Sequence, residues 1–294
     1  MKDGKLLRIL GTLIFFGIIG LIVFKYTSMG SKDYVTKSET AAIDASISQT
    51  GETLLLKAIR LGDVEEVKGL LNKGASISLP EYSLPLDDAI NWAAGFMFEV
   101  EGNSAEKTDN QKRIISLLVD AKAPTKQPEI FVAILREDFN LLKEIIKRGD
   151  IKKLSKTEMQ QLPQIAIRSN NKEIMEYLKR EIPNFVSLNP DRSLLYLVVG
   201  SPYYSMIEYV LSLPETNVNA LKANNDTALH ETIGSFINPD KVKTIKALLA
   251  KGAKINALGY MGKTPLDDAE SIGDLEIIKL LIDNGAKKSA DLKG

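Results

Sequence analysis

The chemistry open to this chain is bounded first by what it lacks. It contains no cysteine, which removes disulfides, thiolate nucleophiles, Cys-based zinc sites and the lipid-modified cysteine of a bacterial lipoprotein. It contains one histidine, His230, so a His-rich metal site is impossible and any Ser/His/Asp relay would have to run through that residue. Two carboxylate doublets, Asp87-Asp88 and Asp267-Asp268, have the composition of a general acid/base pair. Both occur in the same string, Pro-Leu-Asp-Asp-Ala, at the start of a helical pattern, where negative charge meets the positive end of a helix dipole. Such repetition favours a structural role. The carboxylates Asp138, Glu144, Glu173 and Glu176 read as outer positions of amphipathic helices, and no Gly-rich phosphate loop is present. The reading is of a non-enzyme: no catalytic residue, cofactor or metal ligand is expected.

The 294 residues are 44% apolar, enough for a large globular or repeat domain. The 38 Lys and Arg balance 38 Asp and Glu, so nothing suggests the excess of positive charge that phosphate backbones demand, and nucleic acid is not an expected partner.

The elements that must hold these residues emerge from an internal repeat. Thr53 to Ala75 (TLLLKAIRLGDVEEVKGLLNKGA) and Thr264 to Ala286 (TPLDDAESIGDLEIIKLLIDNGA) align without a gap. TALHETIGSF with LLAKGAKINA, and LPLDDAINWA with LLVDAKA, repeat the same scheme between them. A small residue recurs at the centre of each first helix, as Ala58, Ala89, Ala133, Ala166, Val198, Thr232 and Ala269, at intervals of 31, 44, 33, 32, 34 and 37 residues. Thr53, Thr227 and Thr264 are placed to cap those helices, and Pro85 and Pro265 to open them. Gly62 and Gly273 are placed to end the first helix, and Gly74, Gly252 and Gly285 the second, in the left-handed region. Val67, Leu70 and Leu71, like Ile278, Leu281 and Ile282, keep the spacing of one buried helix face. Units three and four lack the Thr-Pro-Leu-His opening and carry Glu137 and Asn170 where the first-helix glycine is expected. The second unit carries an insertion at about 93–110, expected as loop, and the sixth a shorter one near Asn238-Pro239.

This pattern resembles the ankyrin repeat, a unit of about 33 residues with a TPLHxA opening and an LLxxGA close. The resemblance implies an all-α ankyrin-repeat solenoid, helix pairs joined by hairpin loops, of about seven units over 51–288 with a tail at 289–294. It also implies that His230 hydrogen-bonds within and between repeats, and that a partner protein docks on the concave face. That face would comprise the outer sides of the first helices, Lys57, Arg60, Asp88, Asn91, Glu231, Asp268 and Ser271, with the loop tips Glu81, Tyr82, Asn224, Asn225, Asp226, Tyr260 and Lys263. Trp92 either anchors a partner there or packs under the insertion with Phe96 and Phe98. Tyr203-Tyr204 and Tyr260-Met261 leave the same two readings open.

Ahead of the repeats, a basic tail (1–5) leads into LLRILGTLIFFGIIGLIVF at 6–24, about 28 Å of helix with Arg8 as its one charge, read as a transmembrane anchor. A cleaved signal peptide is the competing reading. Lysines on both sides nearly balance; the short basic tail resembles a bacterial signal anchor, placing the repeats in the periplasm. The segment lacks a GxxxG spacing, and the chain is read as a monomer. Residues 25–50 are polar and suit a tether reaching roughly 25–30 Å. What this architecture implies is a binding protein at the bacterial inner membrane. It would be an immunity protein that inhibits a secreted toxin such as a type VI phospholipase effector, or a membrane-anchored scaffold for a resident enzyme of catalase or stress-response type.

Overall fold

The protein is described by a computed structural model covering residues 52–78, 84–94, 105–188, 193–235 and 238–292. The expected membrane segment at 6–24 and tether at 25–50 lie outside these residues, and among the described residues no helix is long and apolar enough to cross a membrane. The regular structure described is all helical, without a strand.

Among the described residues, fourteen α-helices fall into seven consecutive pairs. They are α1 (Leu54–Leu61) with α2 (Val64–Asn72), α3 (Pro85–Ala93) with α4 (Ala105–Asp120), and α5 (Glu129–Leu135) with α6 (Phe139–Arg148). Then come α7 (Lys156–Ser169) with α8 (Lys172–Glu181), α9 (Leu194–Val199) with α10 (Tyr204–Ser212), α11 (Ala228–Gly234) with α12 (Lys241–Ala250), and α13 (Pro265–Ile272) with α14 (Leu275–Asp283). First helices pack on first helices in chain order through all seven units, and second helices pack on second helices between units one and two and from unit five to unit seven. The seven small residues sit inside the seven first helices and all are buried. A larger side chain there would hold neighbouring helices apart.

Side-chain caps punctuate most of the pairs. Thr53 Oγ1 accepts from the Leu56 amide at 3.2 Å, opening α1. At α13 the Thr264 hydroxyl accepts from the Asp267 amide while the Asp267 carboxylate accepts from the Thr264 amide at 2.9 Å, a reciprocal box. Second helices start on Asp or Asn: Asp63, Asp138, Asn171 and Asp274 accept from the amides of Glu66, Leu141, Ile174 and Ile277. The residue before each of these caps is left-handed, whether glycine (Gly62, φ 73°; Gly273, φ 81°) or not (Glu137, φ 56°; Asn170, φ 57°). The degenerate units thus keep the turn while losing the glycine, at a conformational cost. The inward faces of the second helices, Val67 and Leu70, Leu142 and Ile145, Ile245 and Leu248, Ile277 and Leu281 among them, are buried. Each such side chain contributes on the order of 2 kcal/mol, and only when a neighbour covers it.

The insertion of unit two differs from its expected loop form. Residues 105–110 are the first turns of α4, which extends to 16 residues because Thr108 and Gln111 turn inward and are buried. The C-terminal tail also has structure: a short 3-10 helix, Ser289–Leu292, is tied back to the first turn of α13 by the Ser289 amide on Asp267 at 3.0 Å and by Lys288 on Glu270 at 2.7 Å.

Lys122 ends α4 with φ 61°, a conformation that suits glycine. Lys122→Gly is expected to raise stability by about 1 kcal/mol, read as a higher urea midpoint at unchanged m-value, because the strain of a side chain in this region disappears.

Candidate partner-binding surface

The best-defined concave site lies at units six and seven and is built around His230. The Thr227 amide donates to its Nδ1 at 3.2 Å, closing the cap of α11. The proton therefore resides on Nε2, which donates to the Lys263 carbonyl of the next unit at 3.2 Å. This is the role within and between repeats that the sequence resemblance implies. Beside it, the Asp226 carboxylate accepts from the Tyr260 amide at 2.8 Å and the Asn224 amide group at 2.6 Å. Gly259 rests directly on this pair: a Cβ there would stand 2.5 Å from Asp226 Oδ1 and 2.8 Å from His230 Nε2. The loop 259–263 is clamped onto the first turn of α11, and its tip residues Tyr260 and Met261 are pushed outward, 59% and 63% exposed.

Neighbouring loops are joined by asparagines. Asn219 donates to the Gly252 carbonyl at 3.0 Å and accepts from the Lys254 amide at 2.8 Å. One unit on, Asn256 does the same with Gly285 and Lys287 at 3.3 and 2.7 Å. The Tyr196 hydroxyl donates to the carbonyls of Ala220 and, at 2.8 Å, Asp226. Burial, then the charges of Glu231 and Asp226, push that hydroxyl up to about 12, so it remains a donor at any physiological pH.

Between α11, α13 and the 259–263 loop opens a groove of about 490 Å³ whose walls include Glu231, Asp268, Lys263, Tyr260, Met261 and Ile272. Lys222 pairs with Glu231 at 2.6 Å and Lys263 approaches Asp268 at 3.5 Å. These partly exposed pairs contribute little stability and leave their charges usable by a partner.

Of the residues singled out from sequence, Glu231, Tyr260, Lys263 and Asp268 therefore meet around one groove, with Asn225 exposed on the adjacent loop. Lys57, Arg60, Asp88 and Asn91 stand at the other end of the stack, where Arg60 is bound to Glu52 at 2.9 Å and Asn91 accepts from Gln127 at 3.3 Å. Glu81, Tyr82, Phe96 and Phe98 lie outside the described residues. For two aromatic residues the packing reading is the one the structure supports. Trp92 is 6% exposed with the Lys107 ammonium 4.9 Å from its ring centre, so it packs inside unit two and cannot anchor a partner. Tyr203 is buried and its hydroxyl donates to Asp109 at 2.8 Å.

The carboxylate doublets have structural employment. Asp87 accepts from the Thr125 hydroxyl and the Lys126 amide, pinning the next loop. Burial pushes the Asp267 carboxyl up, but hydrogen bonds from Thr264 and Ser289 outweigh it and hold it below the usual carboxylate range. Among the described residues no grouping of three His, Asp or Glu side chains suits a metal ion.

Sequence reading missed Leu221, Leu258 and Ile272, which are 59%, 50% and 46% exposed. A signal for the first two exists: Asn-Ala-Leu recurs at 219–221 and 256–258, the asparagine joining loops and the leucine pointing away.

Gly259→Ala is expected to lower stability by about 1–3 kcal/mol and to speed amide exchange in 258–263, because neither Asp226 nor His230 can retreat without losing its bond to the loop. Unchanged exchange there would mean the clamp is not rigid.

Residues 194–291 match a family model for ankyrin repeats, in three copies that coincide with units five to seven. A protein of Rickettsia bellii (strain RML369-C) named for its ankyrin repeats is 27% identical over 148 residues, 50% of this chain and 80% of that protein. Repeats of this family generally bind other proteins and are not catalytic, the rigid stack presenting a surface already in place. Units five to seven are thus similar to ankyrin repeats, and units one to four share their helix-pair scheme.

Proposed function

We propose that the chain is a non-enzymatic protein-binding scaffold that captures its partner on the groove and loop edge of units six and seven. The observation that carries this reading is the set of large apolar side chains Tyr260, Met261 and Ile272, 46–63% exposed at a groove whose backbone is clamped, with Leu221 and Leu258 likewise exposed on the loops. Exposed apolar area beside polar groups marks interaction sites, and a preformed loop spares the partner the cost of ordering it. Two ion pairs flank the groove and can exchange partners to set register.

The apolar segment at 6–24 supports an anchor in a bacterial inner membrane with the repeats on the periplasmic side. An inhibitor held there meets an incoming membrane-active toxin at its substrate. The proposed role is therefore immunity to a secreted toxin of the type VI phospholipase class. The alternative is a scaffold for a resident enzyme of catalase or stress-response type.

The test is affinity purification of the full chain from native membranes beside a Tyr260→Ala/Met261→Asp variant. Capture of a secreted lipase by the wild type, at least tenfold reduced in the variant at equal melting temperature, is the expected result. Inhibition of that lipase by the wild type completes it. Capture of a resident enzyme instead would replace the immunity role by the scaffold, and undiminished capture by the variant would remove the groove from the account. Trp92→Ala, by contrast, is expected to cost about 3–5 kcal/mol in stability, because it empties a filled core position.

A further inference from the structure

In units one, two, six and seven the outer side of the first helix is polar: Lys57 and Arg60, Asp88 and Asn91, Glu231 and Gly234, Asp268 and Ser271 occupy the positions one before and two after the central small residue. In units three to five those same positions hold Val132 and Leu135, Ile165 and Arg168, Leu197 and Gly200. Every residue of α5 from Ile130 to Leu135 is buried, as are Ile165 to Ser169 of α7, whereas Leu197 and Gly200 of unit five are only partly buried. A helix that is apolar all round is one that is covered all round. Stacking on the previous and next first helix and on the unit's own second helix covers three sides, and the fourth is the concave one.

Three hydrogen bonds join these units to unit two. Gln164 of unit four donates to the Ala94 carbonyl at the end of α3, at 2.9 Å. Lys112 of α4 donates to the Ser169 carbonyl of unit four at 3.1 Å. Tyr203 of unit five donates to Asp109 of α4 at 2.8 Å. Each skips at least one unit, and each has an end in unit two, at Ala94, Asp109 or Lys112. Lys112 is the hub: its ammonium lies 2.9 Å from Asp109 and 3.4 Å from Glu137 of unit three, and 5.8 Å from the Tyr203 ring centre. Arg168 lies within this region, 7% exposed, with Nη1 lacking any hydrogen-bond partner. Burial depresses its pKa, and the nearby Tyr203 opposes that only in part.

We propose that the end of α3 and the first turns of α4 form a strap across the concave side of units three and four, closing the middle of the face and, through Tyr203, fusing units two to five into one block. In a simple solenoid each unit touches only its neighbours, so openings travel unit by unit. Here a contact spanning 94 residues makes four units open together. The consequence for binding, which rests on the function proposed above, is that a partner finds two separate surfaces. The basic and polar end at Lys57 and Asn91 and the groove at Glu231 and Asp268 cannot be joined by one continuous segment lying along the face.

The absence of cysteine makes a direct test clean. Single Val132→Cys, Ser271→Cys and Leu281→Cys variants of the full chain report on the strap, the open groove and the core of unit seven, and maleimide labelling rates are read with and without Tyr203→Phe/Lys112→Met. The expected result is Val132→Cys labelling at least a hundredfold slower than Ser271→Cys, rising at least tenfold when the strap is loosened while Leu281→Cys stays protected. Three results would each overturn the proposal. They are fast labelling of Val132→Cys at the outset, no change on loosening, or a parallel rise at Leu281→Cys. None depends on a partner, so failure of the strap and failure of the binding role are separately visible.

Discussion

No helix pair in this protein can bury its own apolar faces. That single constraint fixes the rest: the pairs must stack, stacking needs a small residue where first helices approach, and the close approach needs a sharp turn within each pair. The seven small residues, the left-handed turn residues and the Asp and Asn caps are three views of one requirement. It also explains why the stack presents a surface at all. Once three sides of each first helix are used for packing, the fourth side and the loop edge remain for something other than the fold.

The structure divides that remaining side unevenly. At units six and seven the histidine clamp spends its polar groups on holding the loop, and Tyr260 and Met261 at the loop tip stay largely exposed. In units three and four the fourth side is largely apolar, and long-range bonds join these units to Ala94 and to Lys112 of unit two. The buried, partly unsatisfied Arg168 is a cost carried by that arrangement. Specific ties such as Lys112 to Ser169 hold the block together where the repeat pattern is weakest.

Much of this is legible in the sequence, and for stated reasons. Periodicity locates the central small residues because close packing tolerates little else there, and Thr-Ala-Leu-His at 227–230 announces its two bonds because one imidazole has two nitrogens to satisfy. Glu137 and Asn170 obscure the turn only if glycine is the sole sign of it. The Asp138 and Asn171 that follow, like Asp63 and Asp274, are the more constant mark. Trp92 misleads because position along a helix does not say what lies above it; Lys107, fifteen residues on, does. The bond from Tyr203 to Asp109 has no signature, since nothing periodic connects units two and five. The all-apolar helix at 130–135 does hint that its fourth side is covered.

The account stands or falls on a covered middle and open ends. Hydrogen exchange of the full chain at rising urea concentration, resolved helix by helix, tests it most directly. The prediction is that amides of α5, α7 and α9 exchange last and share one opening free energy, while α1, α2, α13 and α14 open at lower urea. Earlier exchange in the middle units than at the ends, or separate openings of α5, α7 and α9, would contradict it.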